Sequence, residues 1–212
     1  MRFRLLVLLT MLLTLNACTM LQPMADDSAV PAAPSTIGAP GLDDPLFPLE
    51  GNGGIDVQHY LLEIDWDDAT GAIDAVATLT IEATQDLSAF NLDFYGLEIS
   101  AITVNSEPAN FTRDAAELTI TLPTLMAIGD TFEVTVAYSG IPEPIPDSVT
   151  SGWTVTDNGA YVLGEPNVAK NWFPSNNHPT DKASYTFPSR RLNPSMWRPM
   201  VCPAHQWIMA TL

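Results

Sequence analysis

Val57-Gln58-His59-Tyr60-Leu61-Leu62-Glu63-Ile64-Asp65-Trp66-Asp67 alternates apolar and polar side chains over much of its length. Successive side chains of an extended chain point to opposite faces, so this stretch predicts a strand with one buried face. Asp68-Ala69-Thr70-Gly71 then supplies turn-forming residues. Residues 73–83 alternate again, with Val76, Leu79 and Ile81 set against Thr78, Thr80 and Glu82. The two runs and the turn between them predict a hairpin.

The same rhythm continues towards the C-terminus. Phe90-Asn91-Leu92-Asp93-Phe94 places apolar residues at every second position, residues 99–104 form another short run, and Asn105-Ser106-Glu107-Pro108 reads as a turn. Glu117-Leu118-Thr119-Ile120-Thr121-Leu122 alternates, as do residues 131–138 through Phe132, Val134 and Val136. Short strands recurring with turn signals between them predict an all-β fold, a sandwich or a barrel. Residues 57–140 carry no amphipathic helical pattern. Pro142, Pro144 and Pro146 then break the rhythm, because proline lacks the donor a ladder needs.

Before the strands, the chain reads as an address and a tether. Arg2 and Arg4 precede an apolar run over residues 5–15. That run is shorter than the roughly 20 apolar residues of a spanning helix and fits a secretory signal peptide over residues 1–17. Leu15-Asn16-Ala17-Cys18 resembles the bacterial lipobox, which implies lipidation of Cys18 and a membrane anchor on the extracytoplasmic face. Residues 18–54, rich in Pro, Ala, Ser, Gly and Asp, read as a flexible tether. Cys202 is the other cysteine, and a lipidated Cys18 would leave it without a disulfide partner.

The formal charge is −17. Such a chain repels phosphate backbones and acidic lipid surfaces, so nucleic acid is not an expected partner.

Residues 152–187 differ in kind. They contain Gly152-Trp153, Ala160-Tyr161-Val162-Leu163-Gly164-Glu165-Pro166, Trp172-Phe173-Pro174-Ser175-Asn176-Asn177-His178-Pro179 and Asp181-Lys182-Ala183-Ser184-Tyr185-Thr186-Phe187. This segment resembles the N-terminal domain of the M1 zinc aminopeptidases. There an acidic residue in a short strand is followed eight residues later by a Phe-Pro-Cys-x-Asp-x-Pro turn, then by a Lys-Ala-x-aromatic strand. Glu165 and Phe173 have that interval, and Lys182-Ala183-Ser184-Tyr185 fits the strand. The opening residues 51–60 also look like the start of this domain in bacterial members. The family's Cys is Ser175 here, its Asp is Asn177, and the Gln two places before the acidic residue is Leu163. The resemblance implies a β-sandwich or saddle-like domain over residues 55–187. It also implies that Glu165 holds a substrate's free α-amino group, in a parent that hydrolyses peptide N-termini with zinc. Carboxylate against ammonium is a charge-assisted hydrogen bond, which suits that role. Without the resemblance, Glu165 is a solvated carboxylate beside a proline turn.

The zinc motif of such enzymes, His-Glu-x-x-His on a helix, is absent from the sequence. His59, His178 and His205 are far apart, so no metal site and no catalytic residue is assigned to this chain. Zinc is expected in the intact parent alone. A non-catalytic β-sandwich lipoprotein that binds a peptide or protein is the alternative reading.

Residues 188–212 lose the strand pattern and carry Arg190, Arg191 and Arg198 without any acid. Read from the third base of each codon, Met196-Trp197 forces Val, Met200-Val201 forces Gly, Trp207-Ile208 forces Asp and Met209-Ala210 forces Gly. The hidden peptide can read Val-Ala-Ala-Asn-Gly and later Asp-Asn-Gly-Asp, which resembles the family's continuation. A reading frame lost near Phe187 is the expectation, with a genuine divergent tail as the alternative.

Overall fold

A computed structural model describes residues 36–188, apart from 147, 149, 151 and 158. The signal peptide, Cys18, Cys202, His205 and the tail from residue 189 lie outside the described residues.

The strands run β1 (Ile55–Trp66), β2 (Ile73–Ala83), β3 (Leu87–Asp93), β4 (Glu98–Val104), β5 (Glu107–Pro108), β6 (Asn110–Asp114), β7 (Glu117–Met126), β8 (Thr131–Gly140), β9 (Gly152–Thr156), β10 (Gly159–Leu163) and β11 (Ser184–Thr186). One sheet has six strands in the order β11-β1-β2-β8-β4-β5, a second has β3-β7-β6, and β9 and β10 form a separate ribbon. All pairings within these sheets are antiparallel except β11 on β1. The fold is all-β, as the alternation predicts, and it is not a closed barrel.

The β1–β2 hairpin is present, with its turn closed by Asp67 N–H on Ala72 O and Gly71 N–H on Asp67 O. Its apolar phase needs two corrections. A bulge between Val57 and His59 shifts the register, so Val57 faces the core before it and Tyr60 and Leu62 face the core after it. In β2 the buried face is Ile73, Ala75, Ala77, Leu79, Ile81 and Ala83, and Val76 lies on the other face. Small alanines hold the phase that the larger Val76 obscures. Asn105 and Ser106 join β4 to β5 with φ of 49° and 70°, the left-handed pair that a tight hairpin turn uses.

The inner faces of the two larger sheets meet in one core. Phe90 of β3 packs edge-on to Phe132 of β8, and Phe94 packs edge-on to Tyr138 of β8. A short 3-10 helix, Ala169–Asn171, and the chain after it feed Ala169 and Phe173 into the same interior. Phe173 lies edge-on to Tyr60, which stacks on Tyr185 of β11 at 5.0 Å.

Residues 36–54 depart from the tether expected of them. Ile37 makes a parallel bridge to Ala89, Gly38 N–H donates to Ala89 O (3.0 Å), and Asn91 Nδ2 donates to Gly38 O (3.0 Å). Gly53 N–H then donates to Ala39 O (2.9 Å), folding the arm back on itself. A side chain at Gly38 would collide with the carbonyl of Gly53, so this approach requires glycine. The arm bonds through its backbone, which leaves no period in its side chains. It lies along β3, and the run from Ala89 to Phe94 is buried on both faces.

Candidate functional site

β10 ends at Leu163, and Glu165 sits two residues beyond it, in a turn rather than in the strand. Its side chain is exposed and the Glu165–Pro166 peptide is cis. Thr150 Oγ1 donates to Glu165 O (2.6 Å), and Val168 N–H closes on Gly164 O (3.3 Å). The turn is also held from behind. Asn167 Nδ2 donates to Glu50 Oε1 (3.0 Å), and Asn167 O accepts from Asn177 Nδ2 (2.7 Å).

Behind the turn lies a buried polar network that ties the arm to residues 167–181. Glu50 forms an ion pair with Lys170, and its other oxygen accepts from Asn177 Nδ2 (2.9 Å). Asp93, at the end of β3, receives three donors on Oδ2: Gly51 N–H (3.2 Å), Asn52 Nδ2 (3.0 Å) and Asn177 N–H (3.0 Å). Burial pushes Asp93 up to about 7, against the pull of the Asn177 amide. Asn176 N–H donates to Tyr60 Oη (3.0 Å), and its side-chain amide donates to Asp181. Asp181 accepts from Val57 N–H (3.2 Å), and burial raises its carboxyl to about 6.

The residues that stand at the family's Cys and Asp positions therefore have structural partners. The backbone of Ser175 exchanges hydrogen bonds with that of Asp93 (2.7 and 3.0 Å), while Ser175 Oγ is buried without a partner. An Asp at position 177 would face the Glu50 carboxylate, whereas Asn177 donates to it. His59 Nδ1 meets Ser184 Oγ at 2.7 Å, and His178 meets Thr180 and, at 3.6 Å, Asp44. Among the described residues, no group of three or more His, Cys, Asp or Glu side chains could hold a metal ion. His59 and His178 bond to hydroxyls or a lone carboxylate, so the described residues do not fit zinc.

Glu50 and Asp93 escaped the sequence reading. Glu50 follows Pro48-Leu49 in a stretch with loop composition, and Asp93 takes the polar phase of an alternating strand. Neither position carries a signal that the arm docks on the body there. The recess lined by Pro166 and residues 175–179 is about 10 Å³, room for one water-sized sphere. A peptide end does not fit inside it. What the arrangement offers a ligand is the open carboxylate of Glu165 on a pinned turn. A separate open groove of about 480 Å³ lies at the far end of the β1–β2 hairpin, lined by Asp65, Trp66, Asp67, Ala72, Ile73, Asp74, Ser139 and Gly140.

Two sheets about one core, with a ribbon and a pinned acidic turn beside them, define an all-β domain of the sandwich class. Solved structures carry the assignment further. An M1 zinc metallopeptidase from Deinococcus radiodurans is 32% identical and matches 69% of this chain with a TM-score of 0.65. A mutant of a two-domain M1 zinc metallopeptidase bound to L-arginine matches the same share at 31% identity and a TM-score of 0.65. Yeast LTA4 hydrolase, at 17% identity and a TM-score of 0.50, shares the fold alone. The chain spans about 35% of the length of the first two proteins and 22% of the third. No family model matches the chain, and no curated protein matches it. Over 69% of its length the chain is similar in structure to the M1 zinc metallopeptidases, consistent with an N-terminal domain of such a peptidase.

Proposed function

We propose that this chain is the amine-recognising domain of an exported zinc aminopeptidase, whose zinc and water-activating groups belong to the rest of the parent. The observation that carries the reading is Glu165: an exposed carboxylate on a turn fastened through Asn167 to the buried Glu50 network. One similar structure, a mutant metallopeptidase from Deinococcus radiodurans, is bound to a Tyr-Ser-Ala substrate. In the parent, the Glu165 carboxylate accepts hydrogen bonds from the peptide's α-ammonium and so selects a chain end over a chain interior. Cys18 lipidation would hold the domain at the extracytoplasmic face.

The deciding experiment is to sequence the gene beyond the codon of Phe187 and translate all three frames. A frame that runs into His-Glu-x-x-His establishes the aminopeptidase parent. Its absence from every frame overturns this reading and favours a peptide-binding lipoprotein. In the continuous protein, Glu165→Gln is expected to raise KM for peptides about tenfold, the loss of one charge-assisted bond. An unchanged KM would remove Glu165 from amine recognition.

A further inference from the structure

The arm contains Asn52-Gly53. In an Asn-Gly pair the side-chain amide is open to attack by the next backbone nitrogen, because glycine has no side chain to block the approach. Here Asn52 is 1% exposed, and each reacting group is held elsewhere. The Gly53 N–H, which carries the attacking nitrogen, donates to Ala39 O (2.9 Å). Asn52 Nδ2, the leaving group, donates to Asp93 Oδ2 (3.0 Å). Asn52 Oδ1, where negative charge would develop, is buried without a donor. Asn52 N–H is fixed in turn on Asn176 Oδ1 (2.6 Å). The docked arm thus blocks ring closure.

The same contacts make the product incompatible with docking. Asp93 Oδ2 receives Gly51 N–H, Asn52 Nδ2 and Asn177 N–H, donors that favour its ionised form. A carboxylate at position 52 would replace one of these donors with a second negative charge at hydrogen-bond distance. The ammonium of the network, Lys170, is already engaged by Glu50. Two like charges buried side by side without a cation of their own do not coexist.

We propose that Asn52 is a site of spontaneous deamidation, exposed to reaction only when the arm lifts, and that the modified residue keeps the arm from docking again. In the lifted arm the Gly53 nitrogen gives up its proton and attacks Cγ of Asn52. A C–N bond forms, closing a succinimide, and Nδ2 leaves as ammonia with a proton in place of its bond to Cγ. Water then adds to one of the two ring carbonyls and breaks that carbon's bond to the imide nitrogen. Aspartate or isoaspartate remains at position 52, and no oxidant or cofactor is consumed. The arm is thereby a one-way latch. Glu50 lies two residues before Asn52, so release of the arm also withdraws it from Lys170, Asn167 and Asn177 and loosens the turn that carries Glu165.

The test is to age the full chain at pH 8 and follow Asn52 by peptide mapping and mass spectrometry, apart from Asn158-Gly159, the other such pair. Burial raises Asp93 to about 7, so it is ionised at that pH. A synthetic peptide of residues 48–57 gives the unprotected rate. Docking predicts that Asn52 in the chain reacts at least about tenfold more slowly than in the peptide, the factor set by an opening free energy of about 1.4 kcal/mol. Reaction at the peptide's rate would overturn the proposal. The deamidated chain, separated by its added negative charge on anion exchange, should show faster amide exchange at Gly38 and Gly53 than the unmodified chain. Equal protection in the two would deny the latch. Asn52→Asp makes one product directly and should release the arm, whereas Asn52→Ser, which adds no charge, should release it less. Equal release in both variants would assign the effect to the lost donor and count against the repulsion.

Discussion

Ser175 and Glu50 show how little of a residue's role lies in its type. The Ser175 hydroxyl is buried without a partner, and a buried unpaired hydroxyl costs on the order of 1–3 kcal/mol. Ser175→Cys keeps the size of the side chain and weakens its polarity. It should raise stability by about 1 kcal/mol, read as a higher urea midpoint with an unchanged slope. A lower midpoint would mean that the hydroxyl has a partner after all. Glu50 is the opposite case. Its side chain and that of Lys170 are 11% and 9% exposed, so each charge depends on the other. Glu50→Gln leaves the ammonium buried without its counter-ion and should cost about 3–5 kcal/mol. The double change Glu50→Gln with Lys170→Met should cost less than Glu50→Gln alone, and equal or greater loss would deny the pairing. Ser175 was legible as a departure from the turn motif. Glu50 was not, because a lone acid in a stretch of loop composition gives no sign that its arm folds onto the body.

At the scale of elements, legibility follows periodicity. β1, β2, β7 and β8 each bury one face, so their alternation announces them. β6 is a border strand of its sheet, and none of its residues is buried, so Asn110–Asp114 carries no apolar rhythm to read. The arm is held by backbone bonds along β3 and by the isolated side chains of Glu50 and Asn52, which have no period, and Glu165's turn became visible only through its interval to Phe173-Pro174. The β9–β10 ribbon is the element most exposed to a single change. Gly152 has φ +64°, and a Cβ there would strike the side chain of Asn171. Asn171 Oδ1 is the acceptor for Trp153 N–H (3.3 Å), and Trp153 packs on Trp172. Gly152→Ala should therefore detach the ribbon while the two main sheets persist. The expected reading is faster amide exchange at residues 153–163 with a loss of about 1–2 kcal/mol, the usual cost of a disallowed left-handed residue. Protection retained in the ribbon would show that Asn171 yields instead.

At the scale of the molecule, charge and apolar surface oppose each other. The basic side chains among the described residues are Arg113, Lys170 and Lys182; Lys170 is paired with Glu50, and Arg113 bonds to Leu97 O over the face of Phe94. The surface is correspondingly acidic. The ribbon, meanwhile, exposes Val155, Tyr161, Val162 and Leu163. Such a patch drives association when nothing covers it. Like charge holds copies apart only over the screening length, about 10 Å at 0.1 M salt and about 3 Å at 1 M. The chain should therefore sediment as a monomer in dilute buffer and associate as salt rises, the reverse of an assembly held by ion pairs. Tyr161→Lys with Leu163→Lys should abolish the salt-driven association without lowering the melting temperature, since both side chains are at least half exposed. If the variant associates as the wild type does, the ribbon is not the sticky surface. The same pair of residues lies just before Gly164 and Glu165. A partner seated on the ribbon would therefore come close to the exposed carboxylate of Glu165.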